Sequence, residues 1–439
     1  MRVPYSGSRV LLVAVLAATG CAGTSRTQVA TDATTTTAST APTTTTPPDC
    51  AATLPTGAQA SQLLMVMVED PNSAAEPIRQ GIIGGFGLKG NQRSDIAEIL
   101  AEVTAEVPLP ATVAVDEEGG TVQRLRYSAG RLASARDLAE GSPSEAAAVV
   151  GEHAERMAEL GVTMNFAPVA DVGDNQVLGS RTFGDDPALV GQFAAAVARA
   201  NSDAGVTPVV KHWPGIGGTE VDPHETLPVL APVDELRASD MAAFEPAISG
   251  GVPAVMVAHA EVPGLTAQGE PASLSRPAIT EELRGRQGFE GVVITDSLGM
   301  GAVVNKMTQA DAAETAISAG ADIALLSGTD VVSDAHDQLT AAIDEGRIPE
   351  EQVEASVRRV LAMKGIEGEC LGAVSAFGAL GRLESENSAN SSEDDGSSSD
   401  GSSGTTAVPK MMAPPPRPAM SWTTGSTNPD RSAPGRAES

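Results

Sequence analysis

A cluster of potentially reactive side chains lies in residues 209–228, which read VVKHWPGIGGTEVDPHETLP. The segment holds two of the chain's five histidines, and Asp222 and His224 flank a single proline within it. In an extended segment residues i and i+2 project to the same side, so this carboxylate and imidazole are expected to touch. A carboxylate orients an imidazole and stabilises its protonated form. The pair can therefore transfer a proton near neutral pH, although a D-P-H turn is also common in ordinary loops.

Two other chemistries fit the same segment less well. Its glycines, P-G-I-G-G-T, follow neither the G-x-x-x-x-G-K-[ST] nor the G-x-G-x-x-G order of nucleotide-binding loops. The possible metal ligands are His212, Asp222, His224 and His259. No H-E-x-x-H motif or cysteine cluster accompanies them, and Lys211 adds an unfavourable positive charge. We therefore predict that the protein uses no metal and no other cofactor.

A nucleophile is also needed if the Asp222–His224 pair is catalytic. The sequence contains no G-x-S-x-G elbow and no evident reactive cysteine, but Asp296 ends the apolar run of V-V-I-T-D-S-L-G-M. Carboxylate nucleophiles belong above all to retaining glycosidases, which form a covalent glycosyl-enzyme intermediate. A lone aspartate at a strand end is more often a helix cap or a loop anchor. Its combination with the pair favours the catalytic interpretation.

The elements that must position these groups alternate regularly along the chain. Apolar runs that predict strands cover residues 63–68, 82–88, 111–116, 163–169, 207–212, 254–259, 292–296 and 323–327. Helical patterns lie between them, as in residues 144–160 and 186–200. Near-continuous apolar strands that each precede a helix indicate parallel strands buried on both faces. We predict an α/β fold, a (β/α)8 TIM barrel, with a doubly wound sheet as the alternative.

The barrel prediction brings the reactive groups together. Four of the predicted strands end in a polar residue, and these residues are Asp116, His212, His259 and Asp296. Barrel enzymes build their active sites at the carboxyl ends of the strands. We therefore expect these four side chains to converge on one mouth of the barrel.

The N-terminal residues predict export. Arg2 and Arg9 precede an apolar run over residues 10–18, which is too short to span a bilayer and is typical of a secretory signal. The following Gly20-Cys21 resembles a bacterial lipobox, so residues 1–20 are predicted to be a signal peptide and Cys21 to be lipidated. The alternative is ordinary secretion. The formal net charge of −29 argues against a nucleic-acid partner, since a phosphate backbone needs Lys and Arg.

The remaining composition divides the chain around one folded domain. Residues 21–50 form a Thr/Pro-rich linker, and residues 373–439 form a Ser/Asp/Pro-rich tail, both predicted to be disordered. Residues 51–372 then form one catalytic domain, which is expected to be a monomer. Cys50 and Cys370 bracket this domain, and in an exported protein two remaining cysteines favour a disulfide.

Five motifs, in order, resemble the bacterial β-N-acetylhexosaminidases of glycoside hydrolase family 3. K-H-W-P-G-I-G-G-T-E-V-D-P-H is similar to their K-H-F-P-G-H-G-x-T-x-x-D-S-H signature. The other four are V-D-E-E-G-G-T-V-Q-R (115–124), F-A-P-V-A-D-V (166–172), L-G-S-R-T-F (178–183) and G-F-E-G-V-V-I-T-D-S-L-G-M (288–300). The sequence departs from the signature at Trp213, Ile216 and Pro223. The last of these stiffens the loop because proline fixes φ.

The resemblance implies a role for each candidate residue. Asp296 would be the nucleophile, His224 the general acid/base and Asp222 its partner. The residues implied to bind the terminal sugar are Asp116, Arg124, Arg181, Lys211 and His212. The expected activity is that of a retaining exo-β-N-acetylglucosaminidase, acting on cell-wall muropeptides from the outer face of the membrane. The alternatives are a β-glucosidase or phosphorolytic enzyme on the same barrel, or a non-catalytic wall-binding lipoprotein.

Overall fold

The computed structural model describes residues 50–173, 175, 177–366, 370, 372–373 and 375–377. The predicted signal peptide, the lipidation site Cys21, the linker up to residue 49 and most of the predicted tail lie outside the described residues. Among the described residues, none of the helices combines the length and the apolar character that crossing a bilayer requires.

The described residues form ten strands, which are β1 Leu64–Val68, β2 Gly85–Leu88, β3 Thr112–Val115, β4 Glu117–Gly119, β5 Val122–Gln123, β6 Met164–Asn165, β7 Thr207–Trp213, β8 Ala254–Val257, β9 Val292–Thr295 and β10 Ala324–Ser327. Eight of them form the parallel central sheet, in the order β10-β1-β2-β3-β6-β7-β8-β9, and β4 and β5 form a separate antiparallel hairpin. A parallel bridge between Ile294 and Ile323 joins the two ends of the sheet. The predicted (β/α)8 barrel is therefore confirmed, because a doubly wound sheet would leave these edges apart.

Helices connect the strands and cover the barrel. They are α1 Cys50–Thr53, α2 Thr56–Gln62, α3 Ala75–Arg79, α4 Ile96–Val103, α5 Ala135–Leu138, α6 Pro143–Glu159, α7 Pro187–Asp203, α8 Val233–Ala238, α9 Glu245–Ser249, α10 Gly301–Val304, α11 Gln309–Ala319, α12 Val332–Asp344 and α13 Glu350–Met363. Short 3-10 helices lie at Pro71–Ala74, Gly179–Arg181, Asp240–Phe244, Ala272–Leu274 and Thr329–Val331, and Pro277–Arg286 is a π-helix.

Local sequence explains where the two longest helices begin. Ser142 and Glu145 form a reciprocal capping box at the start of α6, with Pro143 at its first position. The Asp186 side chain accepts hydrogen bonds from two amides at the start of α7. Both helices match the helical patterns that the sequence shows at residues 144–160 and 186–200.

The strands also coincide with the predicted apolar runs, except that β6 is shorter than its run. All five residues of β1 and all four of β2, β3, β8 and β9 are buried, as parallel strands covered on both faces should be. The run at residues 163–169 gives only the two residues of β6. Pro168 has no N–H to donate to a neighbouring strand, and Val169 rejoins the sheet only by an isolated bridge to Lys211.

The two ends of the folded domain meet. A disulfide joins Cys50 to Cys370, with their Cα atoms 5.0 Å apart. Ala373 and Phe377 lie beyond the domain end expected at residue 372, yet both pack against the barrel core. The folded part of the chain therefore continues a few residues into the segment that the composition assigns to the tail.

Candidate active site

A pocket of about 570 Å³ occupies the mouth of the barrel at the carboxyl ends of the strands. Its polar and charged lining includes Glu69, Lys89, Asp116, Glu118, Arg124, Arg181, Lys211, His212, His224, Asp296, Ser297 and Ser327. The apolar side chains of Phe166, Met256 and Leu325 also line it, and all three are buried. The inner part of the pocket therefore borders the barrel core.

Two carboxylates and two cationic side chains form a charged network on one side of the pocket. We call Asp116, Glu118, Lys211 and Arg181 the charged wall. Lys211 Nζ lies 2.7 Å from Asp116 Oδ1 and 2.6 Å from Glu118 Oε1. Arg181 donates from Nε and Nη2 to the two oxygens of Glu118, at 2.7 and 2.9 Å. These bidentate and charge-assisted bonds hold all four side chains in one arrangement.

The charges of this network stabilise one another. Burial opposes ionisation of Glu118, but the charges of Lys211 and Arg181 hold its pKa well below the ordinary value. Burial likewise disfavours the charged forms of Lys211 and Arg181, and the neighbouring carboxylates nevertheless raise the pKa of both. The charged wall therefore presents fixed cations and anions at neutral pH. Such side chains can form hydrogen bonds with sugar hydroxyl groups and with an amide oxygen.

The β4–β5 hairpin places Asp116 and Arg124 beside this wall. Glu117 supports the hairpin from within, because its Oε2 accepts the amides of Arg124 and Leu125 at 2.7 and 3.0 Å. Gly119 has a φ of 96° and faces the carbonyl of Ala133 so closely that a Cβ would not fit. Arg124 Nη2 consequently reaches to 4.0 Å from Asp116 Oδ2.

His212 is the next-to-last residue of β7 and is held by a buried carboxylate. Its Nδ1 lies 2.6 Å from Asp171 Oδ2, and the other oxygen of Asp171 accepts the backbone amide of Ile216 at 2.8 Å. Both side chains are buried. Asp171 thus fixes the imidazole ring and the start of the following loop together.

Asp296 follows β9 directly and is partly buried in the pocket. Its Oδ1 accepts the backbone amide of Ser297 at 2.7 Å. Burial alone would raise its pKa, but the charges of His212 and His259, the Ser297 amide and the charge of Lys211 together lower it. The carboxylate is therefore ionised at neutral pH, as a nucleophile requires.

His224 and Asp222 form the contact that their spacing predicts. His224 Nδ1 lies 2.8 Å from Asp222 Oδ1, which also accepts the His224 amide at 2.9 Å. The His224 side chain is 72% exposed and faces the pocket. Partial burial opposes ionisation of Asp222, but its bonds to His224 and the nearby positive charges lower its pKa. An ionised carboxylate thus stays available to support a protonated imidazole.

The structure shows where the three residues that depart from the family signature lie. Ile216 and Pro223 both line the pocket, where Ile216 replaces a histidine. Trp213 is fully buried and donates from Nε1 to Gln287 Oε1 at 2.6 Å, so its bulk lies in the core. Asn175 donates from Nδ2 to the carbonyls of three loop residues, including Gly217 at 2.9 Å. The loop is therefore held at its base.

The structure brings most of the predicted residues together. Those that line the pocket are Asp116, Arg124, Arg181, Lys211, His212, His224 and Asp296, and Asp222 contacts it through His224. His259 is fully buried next to the Asp296–Ser297 segment, with Nδ1 2.6 Å from Ser273 Oγ and Nε2 2.9 Å from the Ser297 carbonyl. Of the strand-end residues it alone does not line this pocket.

Sequence reasoning gave no role to two carboxylates that the structure makes central. Glu118 pairs with Lys211 and Arg181, and Asp171 pairs with His212. Both lie inside motifs noticed in the sequence, V-D-E-E-G-G and F-A-P-V-A-D-V. The sequence signal that could have identified them is their position just after the predicted strands at residues 111–116 and 163–169. Among the described residues, no group of three His, Cys, Asp or Glu side chains is arranged to hold a metal ion.

A (β/α)8 barrel whose pocket holds an ionised aspartate, an aspartate-supported histidine and a charged wall fits a glycoside hydrolase. Residues 56–363 match the N-terminal domain of glycosyl hydrolase family 3, and the chain belongs to this family. The family assignment and the prediction of a glycosidase are thereby confirmed.

Known relatives match most of this chain, and two solved structures share its fold. It is 37% identical to beta-hexosaminidase LpqI of Mycobacterium tuberculosis over 79% of this chain and 92% of that protein. A family 3 glycosyl hydrolase structure from Mycobacterium smegmatis superposes with a TM-score of 0.68 at 38% identity, covering 71% of this chain and 98% of the other. A family 3 beta-N-acetylglucosaminidase from Paenibacillus gives the same TM-score at 31% identity, covering 81% of this chain and 66% of the other.

Proposed function

We propose that this protein is a retaining exo-β-N-acetylglucosaminidase that releases terminal β-linked N-acetylglucosamine from peptidoglycan fragments. The observation that carries the proposal is the shared pocket, in which the partly buried carboxylate of Asp296 and the exposed ring of His224 face one cavity. Relatives named beta-hexosaminidase and beta-N-acetylglucosaminidase support the sugar specificity. The inner part of the pocket borders the barrel core, which supports removal of a single terminal sugar.

In the first step, a carboxylate oxygen of Asp296 attacks the anomeric carbon of the bound sugar. Protonated His224 donates its proton to the glycosidic oxygen, and the bond from that oxygen to the anomeric carbon breaks. The product is a glycosyl ester on Asp296, and the aglycone leaves as a neutral alcohol. Asp222 stabilises the charged imidazole before this transfer.

In the second step, the neutral His224 accepts a proton from water while the water oxygen attacks the anomeric carbon. The ester bond breaks, Asp296 returns to its carboxylate form and the sugar is released with its original anomeric configuration. Asp116, Arg124, Arg181, Lys211 and His212 are proposed to hold the sugar throughout, through the charged wall and the fixed imidazole.

Phosphate is a second possible acceptor, as the sequence already suggested. A neutral imidazole repels an incoming phosphate less than a carboxylate acid/base would. Asp222 lies 2.8 Å from the ring and opposes this effect with its own charge. Hydrolysis is therefore the proposed reaction, and comparing product formation with and without phosphate separates it from phosphorolysis.

We also propose that the enzyme acts outside the cytoplasmic membrane, anchored by a lipid on Cys21. The support is the N-terminal sequence, with its basic start, short apolar run and Gly20-Cys21. Secretion of a soluble form is the alternative. Membrane fractionation of the wild type and of Cys21→Ala tests the anchor, which is excluded if both variants fractionate alike.

The catalytic assignment is tested with Asp296→Asn and an aryl N-acetylglucosaminide. The variant should lose essentially all turnover, because an amide cannot form the ester. Asp344→Asn, at the end of α12 and outside the pocket, is the matched control. Near-wild-type turnover by Asp296→Asn would refute the assignment, and cleavage of glucosides in preference to N-acetylglucosaminides would refute the specificity.

A further inference from the structure

The loop that carries His224 rests on the start of α10. The backbone amide of Gly301 donates to the carbonyl of His224 at 3.0 Å, and the amide of Ala302 donates to the carbonyl of Pro223 at 3.2 Å. The first amides of any helix lack acceptors within the helix. The loop carbonyls satisfy these donors, so the helix end and the loop stabilise each other.

A side chain adds a third contact in the same place. Asn305 Nδ2 donates to the carbonyl of Glu225 at 3.0 Å. Three consecutive residues, Pro223 to Glu225, are therefore held through their carbonyl groups. We call Gly301, Ala302 and Asn305 the loop seat.

The close fit of the loop depends on glycine at position 301. A Cβ atom there would lie 2.7 Å from the carbonyl oxygen of His224 and closer still to that of Glu225. Gly301 is the first residue of α10, so its backbone conformation suits any amino acid. The absence of a side chain is therefore required by the loop and not by the helix.

The loop seat also links the two reacting groups. Residues 297–300 connect Asp296 to Gly301, and Ser297, Gly299 and Met300 line the pocket. The nucleophile and the support of the acid/base thus belong to one short segment. Because the His224 side chain is 72% exposed, little packing holds its ring, and its place depends on how the backbone is anchored.

We propose that Gly301 and Asn305 are positioning residues that set the distance of His224 from the scissile bond. The inference rests on the proposed role of His224 as general acid/base. Displacing the loop would impair proton donation to the leaving group while leaving Asp296 and the charged wall in place. The loss should therefore be large for substrates that need protonation and small for those that do not.

The test compares kcat/KM for two substrates in Gly301→Ala and Asn305→Ala. Diacetylchitobiose has a poor leaving group, and 4-nitrophenyl N-acetylglucosaminide has a good one. We expect a loss of about tenfold or more on the disaccharide and less than about threefold on the aryl substrate, since general acid catalysis contributes about 10²–10⁴-fold. Gly151→Ala in α6 is the matched control, because its Cβ would meet Ala200 at an ordinary 3.8 Å.

A double variant shows whether the effect passes through His224. In a His224→Ala background, adding Gly301→Ala should change kcat/KM on the disaccharide by less than about twofold, because the affected group is already gone. A further loss there, or an equal loss on both substrates, overturns the proposal. Seat variants that behave like Gly151→Ala overturn it as well.

Two further results, a variant that does not fold and a wild type that is inactive, are interpreted separately. If Gly301→Ala does not fold, as judged by thermal unfolding, the exposed Asn305 decides the question alone. If the wild-type protein cleaves no N-acetylglucosaminide, the proposed function fails. If the wild type is active and the loop-seat variants are unaffected, only the positioning role of the loop seat is refuted.

Discussion

Asp171 Oδ2 lies 2.6 Å from His212 Nδ1 in the buried base of the pocket, and Asp171 Oδ1 accepts the amide of Ile216. One carboxylate therefore fixes both the ring at the end of β7 and the first turn of the loop that carries His224. An imidazole held in this way presents its Nε2 side in a defined direction. The geometry of the proposed sugar site thus depends on a residue that does not itself line the pocket.

Replacing Asp171 should weaken substrate binding. We expect Asp171→Asn to lower kcat/KM by about 10–100-fold, mainly through KM, since hydrogen bonds to charged groups contribute about 1.5–3 kcal/mol. Steady-state kinetics on an aryl N-acetylglucosaminide checks this, with the exposed Asp234→Asn as control. The prediction is wrong if Asp171→Asn still lowers kcat/KM when His212 has already been replaced by alanine.

The acid limb of the pH–rate profile should report Asp296. Burial raises the pKa of Asp296, whereas the charge of His212 is the largest effect that lowers it. His212→Asn removes that charge, so the pKa of Asp296 should rise and the acid limb of kcat/KM should move to higher pH. His336→Asn, whose ring bonds to the Gly57 carbonyl away from the pocket, should leave the limb in place. An unmoved limb in His212→Asn would contradict this electrostatic coupling.

Glu118 should stabilise the fold at neutral pH and lose that effect in acid. Its pKa in the folded protein is below the ordinary value of 4.5 because Lys211 and Arg181 outweigh its burial. The stabilisation is complete above this ordinary value and is lost as the pH falls through the lowered one. Glu118→Gln should therefore cost about 3 kcal/mol of unfolding free energy at neutral pH, and less in acid.

Denaturant unfolding at neutral pH and at about pH 3 measures this difference. Glu98→Gln, an exposed substitution on α4, serves as the control and should be nearly neutral at both. A Glu118→Gln penalty that is the same at both pH values would show that the charge of Glu118 is not its source.

The disulfide between Cys50 and Cys370 should contribute to stability without affecting catalysis. Removing both cysteines together, as Cys50→Ser with Cys370→Ser, should lower the unfolding free energy by about 2–4 kcal/mol, a typical disulfide contribution. Neither residue lines the pocket, so kcat/KM at low temperature should be unchanged. Thermal unfolding with and without reductant checks the prediction, and two free thiols in wild-type protein from an oxidising compartment would contradict it.

The sequence by itself determined the barrel and the meeting of its reactive strand ends. Alternating apolar runs and helical patterns specify parallel strands, and the carboxyl ends of parallel strands share one edge. Asp116, His212 and Asp296 could therefore be placed at one mouth without coordinates. Asp222 and His224 could be paired because their contact is local, two residues apart.

Only the tertiary structure decided the contacts between distant segments. Glu118 becomes the counter-ion of Arg181 because the neighbouring strands β3 and β6 place their loops side by side. Gly301 contacts the His224 backbone because the long loop after β7 reaches past β8 to the segment after β9. Sequence spacing carries no information about which loop carbonyl faces which amide, or which of two adjacent carboxylates turns inward. Those choices follow from barrel closure and from the requirement that buried charges and amides find partners.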